Sequence, residues 1–441
     1  MSIKHYVSGE MFLALMRTSL ARGIAALGTL LLGIVLGRLY GAGGVGVFAL
    51  AQSVLLGAGI LARYGLDNTL MRYVGRNYES RNVLIYLQWA CRKASILSLV
   101  AAVAILLMRD WVAWVFGAPA LASVLVGIGV AVPAFTVSFV LSGFMKGIRK
   151  PATANLLENG AISLVAAVLI ISVHWWKGGG QLEMAGWAMA IAAWVVLVQG
   201  VWQVYRWFGL SNSKGREQGL EDELIARSEF TRTSQSFLVM SLAQFVQQVV
   251  SIMIAGVFLS NDDLGLFKAA ERVALLISFV LLVINAVFPP RFAKLYHQGD
   301  MKGLSHLARQ GAALGLMMAA PLLAVCLFFP SWVLGWFGPD FGEASLLLRI
   351  LAIAQLINVA TGSVGYLLNM TGHEKLMRNI ALVCNVSGVL LLFLALPILG
   401  VLGAAISLAV MILSQNIVAL IFVWRRLRIW TLPCPNFLNS T

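Results

Sequence analysis

The stretch GLFKAAERVALLISFVLLVINAVFPP, residues 265–290, carries two messages. From Val273 onward it is nearly all apolar, as a helix crossing about 30 Å of hydrocarbon must be. Yet Lys268, Glu271 and Arg272 stand in its first two turns, where charge is costly. The first message fixes the fold class, and the second asks what the charges are for.

Apolar stretches of about 20 residues, each long enough to span at about 1.5 Å per residue, recur along the whole chain. They fall near 18–38, 44–66, 94–116, 120–145, 153–173, 185–206, 235–259, 265–288, 307–329, 344–369, 379–397 and 402–424. Of the 441 residues, 60% are hydrophobic and 11% charged, against about 25% charged in soluble proteins. Too little polar surface is left to face water. Barrel strands would read as short alternating segments, and these do not. The expected fold is an all-α polytopic membrane protein with about twelve transmembrane helices.

Lysine and arginine placement sets the orientation. With a cytoplasmic N-terminus, 26 of the 32 basic residues fall on the cytoplasmic side. The far side keeps Arg38, Arg109, Lys177, Lys268, Arg272 and Arg349. Such a bias predicts a multi-pass protein of the cell inner membrane with both termini cytoplasmic. It also accounts for most of the net charge of +14 as a topology signal, so no nucleic-acid partner is expected. Glu10, Arg17 and Arg22 argue against a cleaved leader, leaving the first helix as an anchor. Cys91, Cys326, Cys384 and Cys434 show neither metal-ligand spacing nor a disulfide framework.

The far-side loops are short, among them residues 41–44, a bend at Pro397 and 330–343. The longest polar insert, GLSNSKGREQGLEDELIARSEF at 209–230, divides the chain nearly in half. The halves repeat. MRTS at 16–19 answers TRTS at 231–234, and GVGVFALAQ at 44–52 aligns with DLGLFKAAE at 263–271. That offset of 219 also pairs Arg72 with Arg291, and WVAWVFG at 111–117 aligns with WVLGWFG at 332–338. The expected domains are an N-terminal six-helix lobe at 1–208, a cytoplasmic linker at 209–230 and a C-terminal six-helix lobe at 231–441. Two halves with an even helix number enter from the same side, as in transporters that hold cargo between pseudo-symmetric lobes.

Gly41, Gly43 and Gly46 spell G-x-G-x-x-G, but an apolar membrane helix precedes them instead of a strand. They read as a tight turn. No Walker A sequence is present, and His373-Glu374 lacks the second histidine of a zinc protease. Polar residues within helices are more telling, because an amide facing lipid leaves its donors and acceptors unpaired. Gln244, Gln247, Gln248 and Ser251 fall at i, i+3, i+4 and i+7, one face of the seventh helix. Asn155, Glu158 and Asn159 form a similar patch on the fifth helix, and Gln355, Asn358 and Thr361 on the tenth. Such faces line a wet cavity or glue helices together.

Lys268 lies i, i+3 to Glu271 and i, i+4 to Arg272, so one glutamate faces two cations and positive charge is left over. Arg349 approaches from the same side, while Arg22 and Arg63 add cations at the cytoplasmic mouth. These are candidates for an anion-attracting cavity; the alternative is snorkelling to headgroups. Glu158 and Glu271 are the candidates for ion coupling. Trp111, Trp114, Trp175, Trp176, Trp332 and Trp336 read as an aromatic belt.

Three stretches carry a family resemblance: GVGVFALAQSVLLGAGILARYGLDNTLMRYVGR at 44–76, LGLFKAAERVALL at 264–276 and LLRILAIAQLINVATGSVGYLLNMTGHEK at 347–375. The chain resembles the polysaccharide transporter family, O-antigen-type flippases of the multidrug/oligosaccharidyl-lipid/polysaccharide exporter superfamily. The resemblance implies two lobes and movement of a lipid-linked oligosaccharide to the outer leaflet, for lipopolysaccharide and related surface glycans. An undecaprenyl-diphosphate carrier is anionic, and a cationic, hydrated cleft would offset the cost of taking it through oil. Lys268, Arg272 and Arg349 would receive the anion, Arg22 and Arg63 would gather it, and Gln244, Gln247, Gln248 and Asn358 would bind sugar hydroxyls. The expected partners are the lipid-linked substrate, membrane lipids, and a glycan polymerase and glycosyltransferases. No cofactor or metal is expected; coupling to a proton or sodium gradient is open. One rival is an exporter of organic cations, which calls for an acidic cavity. The other is a membrane glycan polymerase or ligase, which calls for a sizeable far-side loop.

Overall fold

A computed structural model describes residues 9–76, 78, 80, 82–212 and 224–433. Among them every regular element is a helix. Residues 213–223, half of the linker expected at 209–230, and Cys434 lie outside the described residues. By packing, the chain forms two compact units, Met1–Val257 and Phe258–Thr441.

The first unit begins with α1 (Gly9–Arg63), whose 55 residues would reach about 80 Å and must cross a bilayer twice. The tight turn expected at 41–46 is made at its first residue. The helix bends at one residue, Gly41, whose φ of 68° suits glycine, and stays helical through Gly43 and Gly44. Then come α2 (Leu66–Arg76), α3 (Asn82–Val115), α4 (Pro119–Gly147), α5 (Pro151–Asn155), α6 (Asn159–Lys177) and α7 (Glu183–Asn212). The last helix of the unit is α8 (Arg227–Phe245), continued by a π-helical turn (Val246–Val250) and α9 (Ser251–Phe258).

The second unit holds α10 (Asn261–Val287), α11 (Pro289–His297), α12 (Met301–Phe328), α13 (Pro330–Leu334), α14 (Ser345–Thr361), α15 (Val364–Met370) and α16 (Glu374–Leu427). Like α1, α16 is long enough to cross twice. Its bend lies at Gly400, with φ 56°, and not at Pro397, which sits inside the helix. Proline forfeits one hydrogen bond, whereas reversing the chain needs the left-handed backbone that glycine supplies. Past the bend the chain returns so closely that a Cβ on Gly403 would lie 2.6 Å from the Ala395 carbonyl. Among the described residues, eight stretches are long and apolar enough to cross a membrane. Counting α1 and α16 twice, and adding residues 227–258 and α10, gives the twelve spans expected.

The repeat has a structural counterpart. In each unit a short amphipathic helix follows an apolar span: α2 carries Arg72 and α11 carries its repeat partner Arg291. In the first unit α4 is buried along nearly its whole length, as a helix surrounded by protein must be. Close approach comes from small residues: a Cβ on Gly127 would lie 2.2 Å from Gly186, and one on Gly143 would lie 2.3 Å from the Asp67 carbonyl. By contrast α3 turns Ile96, Leu99, Val100, Val103 and Leu107 outward, a face that suits hydrocarbon. The six tryptophans read as a belt are all exposed, with Trp111 and Trp114 ending α3 and Trp175 and Trp176 ending α6.

The start of α8 is clasped within the first unit. Phe230 is buried and stacks on Tyr86 at 5.8 Å, with Tyr73 and Trp89 on its other sides. The Tyr73 hydroxyl meets Thr233 Oγ1 at 2.8 Å and Glu229 Oε1 at 3.2 Å. Gly65, at φ 71°, makes the approach possible, since a Cβ there would lie 2.4 Å from the Ser234 carbonyl. By contacts, then, the chain divides after Val257, whereas by internal repeat it divides before Thr231. Replacing Phe230 with alanine should destabilise the protein by about 3–5 kcal/mol, the usual cost of emptying a buried aromatic site. Thermal unfolding in detergent measures this, and Phe230→Leu should recover most of it.

Candidate functional site

In the first unit the polar patch expected on one helix is instead gathered at a break. Pro151 starts α5, which ends at Asn155, and α6 starts at Asn159 with Glu158 extended before it (φ −104°, ψ 176°). The break frees Glu158 to turn toward α4. Its Oε1 accepts hydrogen bonds from Lys146 Nζ at 2.7 Å and Ser142 Oγ at 2.8 Å. Glu158 is also near enough to act electrostatically on Arg63 at the end of α1. Arg63 lies 3.4 Å from Asp67 Oδ2, donates through Nε to the Gly59 carbonyl at 3.1 Å and stacks over Phe139 at 4.4 Å.

Two cations and two carboxylates therefore share this corner, which is neutral in sum and not positively biased. Hydroxyls and amides in the same helices are unspent. The side-chain atoms Asn155 Nδ2, Asn159 Oδ1, Ser163 Oγ, Thr136 Oγ1 and Ser138 Oγ are buried without a hydrogen-bond partner among the described residues. An unmet buried group costs about 1–3 kcal/mol, and groups of this kind are usually met by water. Arg22, in contrast, is exposed on α1 and joins no ion pair among the described residues.

In the second unit α10 carries the charges that open the quoted stretch. Lys268 is buried and ion-paired with Glu271, and Arg272 follows on the next turn with a partner of its own. Lys268, Glu271 and Arg272 sum to one positive charge. Arg349 is exposed and donates to the Leu327 carbonyl at the end of α12, at 3.1 Å.

The face expected on the tenth helix forms a string of bonds. Asn358 Nδ2 donates to Gln355 Oε1 at 2.9 Å, and Thr361 Oγ1 donates to the Asn358 carbonyl at 3.0 Å and lies 3.5 Å from Asn416 Oδ1. Ser363, in the break after α14, bonds Asn285 of α10. This polar string stitches α10, α14 and α16, with one Asn358 amide hydrogen committed to Gln355. The side chains of Gln244, Gln247 and Gln248 lie outside the described residues. Their backbone runs into the π-helical turn at Val246–Val250, so the spacing of an ordinary helix does not hold across the face read from sequence.

Asp67 and Lys146 were not singled out from sequence. Asp67 stands four residues after Arg63, but the pair bridges the break between α1 and α2, where Tyr64 and Gly65 have positive φ, so helical spacing does not announce it. Lys146 meets Glu158 across a loop and two helix ends, and no local spacing announces that contact.

The sequence profile described as "Polysaccharide biosynthesis protein" matches residues 14–296, more than half of the chain. The chain belongs to the polysaccharide biosynthesis protein family. The MatE profile matches residues 236–394 of this family member, in keeping with the wider transporter superfamily. A probable low-salt glycan biosynthesis flippase, Agl15 of Haloferax volcanii, is 25% identical over 282 residues, 62% of this chain and 58% of its own. A capsular polysaccharide biosynthesis protein, CapF of Staphylococcus aureus, is 26% identical over 148 residues, 33% of this chain and 37% of its own. The match thus spans less than two thirds of either curated relative. Among solved structures, an inward-facing multidrug resistance MATE family transporter of the MOP superfamily has a TM-score of 0.68 at 17% identity, covering 94% of this chain and 98% of its own. The lipid II flippase MurJ, inward closed, also scores 0.68 at 12% identity, covering 92% of this chain and 87% of its own. This family member therefore has the MATE- and MurJ-like transporter fold, as a multi-pass membrane protein.

Proposed function

We propose that the protein flips a lipid-linked oligosaccharide, carried on undecaprenyl diphosphate, from the cytoplasmic to the outer leaflet of the cell inner membrane. The product would feed a glycan polymerase and glycosyltransferases that build surface polysaccharide of the O-antigen or lipopolysaccharide kind. The family match over residues 14–296 carries this reading. It gains support from a relative named as a glycan biosynthesis flippase and a neighbour in fold named as a lipid II flippase.

The chemistry is a charge problem. A diphosphate in hydrocarbon is unfavourable by several kcal/mol per charge, and guanidinium and ammonium donors offset that with short, charge-assisted hydrogen bonds. Arg272 and Lys268 supply this positive charge within a membrane span, with Arg349 exposed on α14 of the same unit. Arg22 and Arg63 gather the headgroup at the cytoplasmic side. Asn358, Gln244, Gln247 and Gln248, with the unspent amides of Asn155 and Asn159, offer bonds to sugar hydroxyls. The two lobes alternate access, driven by a proton or sodium gradient through Glu158 or Glu271, and the protein carries out no covalent chemistry. An organic-cation exporter calls for an acidic cavity, which the net positive charge of Lys268, Glu271 and Arg272 taken together disfavours.

In cells depleted of this protein, the lipid-linked repeat unit is expected to accumulate on the cytoplasmic leaflet while surface polysaccharide disappears. Unchanged surface polysaccharide, with only a gain in sensitivity to cationic drugs, would overturn the proposal.

A further inference from the structure

The first unit holds a cavity of about 290 Å³ that the transport reading does not use. It opens where α8 is clasped onto α3, and Arg92, Lys93 and Arg227 line it together with Trp89, Ile96 and Leu97. Taken singly, these cations are a topology signal. Their convergence is not explained that way. Lys93 and Arg227 come from different helices and stand close enough to repel each other. Among the described residues no carboxylate lines the cavity, and Glu229, two residues from Arg227, is turned to the Tyr73 hydroxyl. A bias of charge along the membrane face needs lysines and arginines near it, not like charges held together around a hollow.

The clasp holds them there. Phe230, buried among Tyr73, Tyr86 and Trp89, fixes the first turn of α8 and so the position of Arg227. Lys93 is held from the other side by the Tyr64 ring, 3.6 Å from its Nζ. Arg227 opens α8, so the positive end of that helix dipole adds to the same field. The walls divide the cavity's chemistry: cations on one side, and on the other Ile96 and Leu97, which continue the lipid-facing side of α3. A soluble anion has no use for the apolar wall, and a neutral lipid has none for the cations. An anionic lipid uses both.

We propose that this cavity binds the phosphate group of an anionic membrane lipid, with Arg92, Lys93 and Arg227 as its donors and Ile96 and Leu97 against the start of its acyl or prenyl chain. The site is independent of the transport reading. A bulk anionic phospholipid and a polyprenyl diphosphate share this chemistry, and they are told apart by supplying them separately.

The test is thermal unfolding of the full chain in phosphatidylcholine nanodiscs, with phosphatidylglycerol added in one arm, a polyprenyl diphosphate in a second and inorganic phosphate in a third. Ligand that binds only the folded state raises Tm with concentration. The wild type is expected to gain Tm with at least one anionic lipid, and Arg92→Gln/Arg227→Gln to lose most of that gain. Lys93 stays in place to keep its packing on Tyr64. In pure phosphatidylcholine the double variant should unfold at or above the wild-type temperature, because repulsion has been relieved. If it fails to fold, Arg92→Gln alone, at an exposed position, gives the same readout. A gain with phosphatidylglycerol assigns the site to bulk lipid, and a gain with the diphosphate alone assigns it to the prenyl carrier. No gain with either lipid, an undiminished gain in the variants, or an equal gain with inorganic phosphate would each overturn the proposal.

Discussion

Arg272→Ala is expected to abolish surface glycan while leaving the protein's abundance in the membrane unchanged. Arg272 follows the Lys268–Glu271 pair on α10, and the three residues together sum to one positive charge. Removing it leaves an anionic headgroup without that partner in the span. A charge in mid-membrane costs about 2.5–3.5 kcal/mol on insertion scales, and each 1.4 kcal/mol is about tenfold, so transport should fall by about a hundredfold. Arg272→Lys keeps the charge and should recover part of the rate, short of wild type because the bidentate fork is lost. Surface glycan is read by labelling intact cells and abundance by immunoblot of membranes. Normal glycan in Arg272→Ala would remove Arg272 from the mechanism.

Asp67→Ala is expected to destabilise the first unit by about 3 kcal/mol, the low end for stranding one partner of a buried pair. The side chains of Arg63 and Asp67 are 13% and 20% exposed, so neither has water as a ready substitute. Glu158→Ala should cost less, about 1 kcal/mol, because Lys146 at 37% exposure and Glu158 at 28% form a half-wet pair of the surface kind. Thermal unfolding in detergent ranks the two, and the reverse order would show that the Arg63 corner is wetter than its geometry implies. Arg63→Met/Asp67→Leu should recover much of the stability, since replacing both charges with apolar groups removes the stranded one. If that double variant also transports normally, Arg63 stabilises the fold without gathering substrate.

The fold was readable because its signal is additive over long stretches. Each span needs only about 20 apolar residues, and single exceptions do not hide it. Where spans join, one residue decides: Gly41 falls within the turn expected there, whereas Gly400 takes the place of the bend expected at Pro397. A glycine that bends a helix looks in sequence like a glycine that ends one. Lys268, Glu271 and Arg272 were legible because helical spacing of three and four places them together. The contacts of Lys146 with Glu158, and of Phe230 with Tyr86, join residues that only tertiary packing brings near. The break between Asn155 and Asn159 overrode the helical face read there. The start of α5 at Pro151 hinted at it, but a proline at the first position of a helix is also compatible with a long one.

The most direct test is transport by the purified protein in proteoliposomes, with a fluorescent short-chain polyprenyl-diphosphate oligosaccharide loaded on one leaflet and quenched from outside. The labelled lipid is expected to cross well above the rate in protein-free vesicles, and Arg272→Ala to return it near that background. A fluorescent organic cation in the same vesicles should not be moved. Transport of the cation with no crossing of the anionic lipid would contradict the proposed function and leave a multidrug exporter in its place.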